Sequence, residues 1–221
     1  MNLLYYKDSY LKECNAKIEN IWEENDKNYV RVDNNIFYAQ GGGQKGDKGY
    51  LIHNDETYEV INCIKDENGY PILITDVLLP KDLMNQEVRC KLNWDFRYTQ
   101  MKLHTALHLL HCFIGEYYRK EIEYPISSNI EIDFAYNKYP QDIITEEVIH
   151  FVQKKYEDLL KQNIEVITYP DENKEMYRYW KCMEYIIPCG GVHVLKLNEI
   201  NNVVINAHSK KGITTIKVSL A

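Results

Sequence analysis

Apolar and polar residues alternate in short runs over the first ninety residues. Tyr29 to Val32, Ile36 to Tyr38, Tyr58 to Ile64 and Pro71 to Thr75 read as strands. Asp33-Asn34-Asn35, Gly41 to Gly49 and Glu67-Asn68-Gly69 supply the turns between them. Many short strands at this spacing predict a small β-barrel over 1–90. Leu11 to Asn25 fits a strand or a short helix equally well. The period changes near residue 91. From about Tyr98 to Tyr118 there is no Pro and one Gly, and Met101, Leu103, Leu107, Leu110 and Ile114 fit a mostly buried helix. A second helix is predicted over Thr145 to Gln162, where Val148, Phe151, Val152, Leu159 and Leu160 recur at helical spacing above a charged face. A third is expected after Pro170, with Asp171 as its N-cap. Strands are predicted at Asn129 to Phe134, Ile164 to Tyr169, Val192 to Leu197, Val203 to Ala207 and Ile213 to Val218. The fold class is therefore α+β: a barrel over 1–90, then an α+β domain over 91–221, with the boundary near Arg89 to Asn93.

Composition narrows the function classes. The chain has 221 residues, 45% of them hydrophobic, enough to bury a core. Its longest apolar runs fall far short of a membrane span. The N-terminal segment lacks a basic stretch followed by an apolar one, so a cytoplasmic location is expected, with no membrane partner. There the six cysteines should stay reduced, and a Cys near His residues reads as a metal or catalytic candidate. The net charge of −7 argues by itself against nucleic acid. Most of the acidic excess lies in 1–90, however. The segment after Glu199 carries Lys210, Lys211 and Lys217 and no acid, so a local basic face and ordinary solvated lysines both fit.

His104-Thr105-Ala106-Leu107-His108 places two imidazoles about 40° apart on one face of a helix. Alone, this pair fits ordinary packing as well as metal binding. Cys189-Gly190-Gly191-Val192-His193 adds a thiol and an imidazole around two glycines, whose freedom lets a tight loop turn both side chains to one point. Cys with three His is a tetrahedral zinc set. His111 and Cys112 fall on the same helical arc and compete as ligands or as partners that fix a ring tautomer. The sequence argues against a zinc protease of the H-E-x-x-H type, because Thr105 stands where its Glu would be and no other H-E-x-x-H occurs. Phe37 to Gly49, with Gly41-Gly42-Gly43-Gln44, is neither a P-loop nor a dinucleotide fingerprint. It reads either as a flexible hairpin or as a loop whose open amides, with Gln44 and Asp47, cover a site.

These segments, in this order, resemble the alanyl-tRNA editing family: the editing domain of alanyl-tRNA synthetase and its free-standing relatives. Asn93-Trp94-Asp95 to Arg97, Met101 and His104 to His111 resemble the first zinc motif. Cys189 to Val194 resembles the second, with Val192 where Thr is usual. Phe37 to Gly49 resembles the family's Gly-rich loop. The resemblance implies a barrel followed by an editing domain of the type shared with threonyl-tRNA synthetase. It implies Zn2+ held by His104, His108, Cys189 and His193, and a medium-length form acting in trans. It further implies hydrolysis of alanine tRNA mischarged with serine, with glycine as a second candidate. An editing site that hydrogen-bonds the serine hydroxyl rejects alanine. Thr105 and Gln44 are the first candidates for that contact, with Ser127 and Ser128 behind them. Gly42, Gly43, Asp47, Arg97, Lys102, Lys210 and Lys211 are the candidate contacts to substrate and tRNA. A non-catalytic tRNA-binding module with structural zinc, and a zinc hydrolase of small esters or amides, are the competing readings.

Overall fold

The computed structural model describes residues 1–174 and 176–221. The chain forms two compact units. The first comprises Met1–Gly41 with Lys45–Tyr98, and the second Gly42–Gln44 with Thr99–Ala221.

In the first unit, β1 (Asn2–Leu3) pairs in parallel with β4 (Asn34–Asn35). The other strands are β2 (Glu13–Glu24), β3 (Lys27–Val32), β5 (Gly49–His53), β6 (Glu56–Lys65), β7 (Pro71–Thr75) and β8 (Glu87–Leu92). They close into an antiparallel barrel in the order β2-β3-β7-β6-β5-β8. The segment left open between strand and helix is thus the long strand β2, whose Ala16 and Ile18 and, past a bulge between Ile18 and Asn20, Ile21 belong to the barrel core. Ile36 to Tyr38, expected as a strand, is irregular chain. There Asn35 bonds both the N–H and the C=O of Phe37, which satisfies locally what a ladder would otherwise take.

Helix α1 (Trp94–Tyr118) begins in the first unit and continues through the second. Asn93 caps it, its Oδ1 accepting from the Phe96 N–H at 3.2 Å. In its first turn Arg97 is wholly buried. It donates to the Asp47 carboxylate and to the carbonyls of Ser9 and Ile36. Asp47 in turn accepts from the Tyr38 N–H. The pair therefore pins the Gly-rich segment to the start of α1.

The second unit holds a four-stranded antiparallel sheet, β9 (Ser127–Ile130), β10 (Phe134–Pro140), β14 (Val203–Lys210) and β15 (Ile213–Leu220), in the order β14-β15-β10-β9. A second antiparallel sheet is β11 (Val166–Pro170), β12 (Arg178–Cys182) and β13 (Tyr185–Pro188). Helix α2 (Glu146–Leu159) is capped by Thr145 and buries Val148, Val152 and Tyr156. The Tyr156 hydroxyl donates to the Ala106 carbonyl of α1 at 2.6 Å. No helix among the described residues is long and apolar enough to cross a membrane.

Three expectations change here. The single strand expected over 129–134 is instead the end of β9, a turn over 131–133 and the start of β10, closed by Glu131 N–H to the Phe134 carbonyl. The helix expected after Pro170 runs in part across residue 175, which lies outside the described residues. On either side of it the chain forms a turn and then β12. Asp171 Oδ1 does accept from the Asn173 and Lys174 N–H groups, as an N-cap would, but Tyr177 N–H closes back onto Lys174. The Asx turn satisfies the capping signal without a helix. Val192 to Leu197 is likewise a loop ending in a short 3-10 turn, Leu197–Glu199.

Candidate metal centre

His104 and His108 lie one turn apart on α1, and Cys189 and His193 on the loop that leaves β13. One ligand atom from each of the four lies within 4.8 Å of every other. The imidazole centroids are 4.2 Å apart for His104 and His193, and 4.7 Å for His104–His108 and His108–His193. Cys189 Sγ stands 3.6 Å from His104 Nε2 and 3.4 Å from His193 Nε2. The edge of a tetrahedron with zinc-like bond lengths is roughly 3.3–3.8 Å.

The loop reaches the helix because residue 191 has no side chain. A Cβ there would run into the His104 imidazole and crowd Gln44 Oε1.

Hydrogen bonds fix which ring nitrogens face the cluster. Gln44 Oε1 accepts from the Val192 N–H at 3.3 Å, which sets the orientation of the amide. The same oxygen lies 2.8 Å from His104 Nδ1, so that nitrogen carries the proton and Nε2 carries the lone pair. The Thr105 hydroxyl gives its one proton to the Met101 carbonyl at 2.9 Å. It can only accept from His193 Nδ1, 3.1 Å away, and His193 Nε2 is left as the second lone-pair nitrogen. His108 packs edge-on against Trp180, 4.9 Å between centroids, and keeps Nδ1 buried with no hydrogen-bond partner.

Burial keeps the rings neutral. It pushes His104 down to about 3, and it holds His108 and His193 well below the ordinary imidazole value, with help from neighbouring imidazoles. Burial raises the Cys189 thiol to about 11 in the metal-free protein, against the pull of the Gly191 N–H. Neutral, oriented imidazoles, one thiol and an orphaned ring nitrogen form a donor set that can hold a metal ion and fits zinc chemistry.

The other sequence candidates are more widely spread. Gln44 and Thr105 meet the cluster, as partners of His104 and His193. Gln44 Nε2 is buried without a partner. Gly43 accepts from the Ile130 N–H at 2.8 Å, which seats the Gly42–Gln44 segment beside Ser128. Asp47 and Arg97, expected at the substrate, are instead buried against each other and have no surface to offer a phosphate. Lys102 is half-buried on α1. Lys210 and Lys211 are exposed at the β14–β15 turn. His111 and Cys112 lie outside the cluster, and the His111 ring faces Tyr139 and Tyr124. Trp180 escaped the sequence reading. Its signal was parity: in β12 it shares an inward face with Cys182.

Several known proteins are similar to this chain in sequence. A family model described as class II (A) tRNA synthetases matches residues 5–96. The alanyl-tRNA editing protein AlaX-M of Pyrococcus horikoshii is 32% identical over 211 residues, covering 90% of this chain and 88% of that protein. AlaX-L of the same organism is 30% identical over 95% of this chain, which spans 55% of its length. The alanine–tRNA ligase of Methanobrevibacter smithii is 27% identical over 93% of this chain and 25% of its own. On the strength of the near full-length match to AlaX-M, the chain belongs to the AlaX family of alanyl-tRNA editing proteins.

Proposed function

We propose that this protein is a zinc-dependent deacylase that removes serine, and as a second substrate glycine, from mischarged alanine tRNA in trans. The observation that carries this reading is the cluster of His104, His108, Cys189 and His193, with two of its imidazoles held in ligating tautomers. Family membership supports the reaction class. Bound there, zinc would supply Lewis acidity toward the ester that joins the amino acid to the terminal ribose.

The remaining chemistry belongs to the chain's own residues. Gln44 orients His104 through Oε1 and keeps two Nε2–H donors buried and unsatisfied. A serine hydroxyl can accept one of them, whereas alanine leaves the donor unpaired and is disfavoured. Thr105 acts differently. Its proton is spent on Met101 and its oxygen on His193, so it is a positioning residue for the second ligand rather than a reader of the serine hydroxyl. Lys102, Lys210 and Lys211 are the cations proposed to meet tRNA phosphates.

The test is to incubate the zinc-loaded protein with Ser-tRNA(Ala), Gly-tRNA(Ala) and Ala-tRNA(Ala) side by side. Serine should be released fastest and alanine least, and His108→Ala and Cys189→Ala should each abolish release. Unchanged turnover in either variant removes the metal from the reaction. Tight binding without any release leaves a tRNA-binding module instead.

A further inference from the structure

Two cysteines face each other across the seam where β8 meets β2 and the barrel closes. The strands are antiparallel, and their register sets Cys14 directly opposite Cys90. Directly opposed residues present their side chains to one face of a sheet. Here that face is the inner one: Cys90 belongs to the barrel core, and Cys14 packs against it. The Leu92 N–H bonds the Lys12 carbonyl at 2.9 Å, and the Ile18 N–H bonds the Gln86 carbonyl at 3.0 Å. Bonded rungs recur at every second pair, so Cys14 and Cys90 occupy one, with Cα atoms about 5.5 Å apart. A disulfide spans Cα separations of roughly 4.4–6.8 Å. Among the described residues no other cysteine on a strand faces a second one across a ladder. Cys63 stands opposite Leu73, and Cys182 lies between Val166 and Tyr185.

The protons of the pair are ordered. The Cys14 thiol donates to the Asn34 carbonyl, 3.7 Å away, and its sulfur accepts from the Cys90 thiol. That contact holds Cys14 below the ordinary thiol value, against burial and the charge of Asp33. The same contact, with burial, holds Cys90 well above it. Exposure divides the pair in the same sense, Cys14 half-buried and Cys90 wholly buried. Cys14 is thus the thiol that ionises and meets solvent, and Cys90 is the protonated partner held behind it. Cys63, in the same barrel, differs on each point. It is wholly buried, desolvation holds it well above the ordinary value, and its thiol donates to the Phe37 carbonyl at 3.7 Å.

We propose that Cys14 and Cys90 are a redox site at which a peroxide forms a reversible disulfide across the barrel seam. The Cys14 thiolate attacks one peroxide oxygen. An S–O bond forms, the O–O bond breaks, and the departing oxygen leaves as water with the proton that Cys14 gave up. The Cys90 sulfur then attacks the sulfur of the Cys14 sulfenic acid. The S–S bond forms, the S–O bond breaks, and the hydroxyl leaves as a second water with the Cys90 proton. Two electrons pass from the thiol pair to the peroxide. Geometry makes the bridge labile. Opposed Cβ atoms stand about 4.5–5.5 Å apart, with bonded rungs at the wide end, whereas a relaxed disulfide holds them at roughly 3.5–4.5 Å. The seam must close by up to about 1 Å, and a strained bridge is readily reduced by a small thiol such as glutathione. Neither cysteine belongs to the metal cluster, so this chemistry is independent of the deacylase reading.

The test is to treat the zinc-loaded full chain with an equimolar amount of hydrogen peroxide, block the remaining thiols with iodoacetamide, and map the cysteines by mass spectrometry of a non-reduced digest. The expected product is a cross-linked pair of peptides carrying Cys14 and Cys90, lighter by two hydrogens. Excess reduced glutathione should return both thiols. Without oxidant, iodoacetamide should alkylate Cys14 at least roughly tenfold faster than Cys63. Cys90→Ala should leave Cys14 as a sulfenic acid that dimedone traps, and Cys14→Ser should leave Cys90 untouched by peroxide. Three results overturn the proposal: Cys14 and Cys90 still reduced after other cysteines have oxidised, Cys14 carried on to the sulfinic acid without a bridge, or a bridge that resists glutathione. The decisive map is made on the unsubstituted chain, so a variant that fails to fold does not weaken it.

Discussion

The hydroxyl of Thr105 has one proton, and the Met101 carbonyl takes it. What remains is a lone pair that can hold His193 only through Nδ1–H, which turns Nε2 toward Cys189. Outer partners of this kind commonly account for a ten- to hundredfold change in metal affinity. Thr105→Val keeps the volume and loses both bonds, so zinc affinity, measured by competition with a chelator, should fall by about that factor. Unaltered affinity would show that packing alone orients His193. That residue 105 stands beside the ligand cluster was legible from sequence, because it sits between two histidines of one helix face. Its role was not, because a side chain's hydrogen-bond inventory is spent on neighbours that only the fold supplies.

At the scale of elements, the informative case is the Gly-rich segment. Its sequence marks it as unusual, yet its residues divide between two tasks. Gln44 goes to His104, whereas Asp47 goes to Arg97 at the start of α1. Both members of the latter pair are buried. Removing only one partner of such a pair costs about 3–5 kcal/mol, because the other charge is left in a dry interior. Arg97→Met should therefore lower the denaturation midpoint sharply, and adding Asp47→Asn should recover part of the loss. A midpoint unmoved by Arg97→Met would mean that water reaches Asp47. The helix expected after Pro170 teaches the converse. Asp171 supplied a real capping signal, but a capping side chain satisfies an Asx turn equally well, and the chain goes on into strand β12.

For the whole molecule, three imidazoles buried as neutral groups tie stability to pH. His104, with an ordinary value of 6.5, is held at about 3 by burial, and His108 and His193 are lowered by burial and by one another. Below 6.5 the unfolded chain takes up protons that the folded one refuses. The stability of the metal-free protein should thus be complete above that pH and decline as pH falls toward about 3. Denaturant midpoints at about pH 8, 6 and 5 measure this, and a flat series would mean that the rings protonate in place. Zinc should raise the midpoint at neutral pH, since it binds the assembled cluster and not the separated ligands.

The sequence by itself determined the material of the site: a helix with two histidines four apart, a Cys-Gly-Gly-x-His turn, a glycine run, and strands dense enough for a barrel. These are local facts, set by spacing along the chain and by backbone freedom. Only the tertiary structure decided that Gln44 belongs with His104 while Asp47, three residues on, does not, that Trp180 backs His108, and that His111 faces Tyr139 and Tyr124 instead of the cluster. Each of those outcomes depends on residues far apart in sequence competing for the same protons and the same space, and that competition has no period to read.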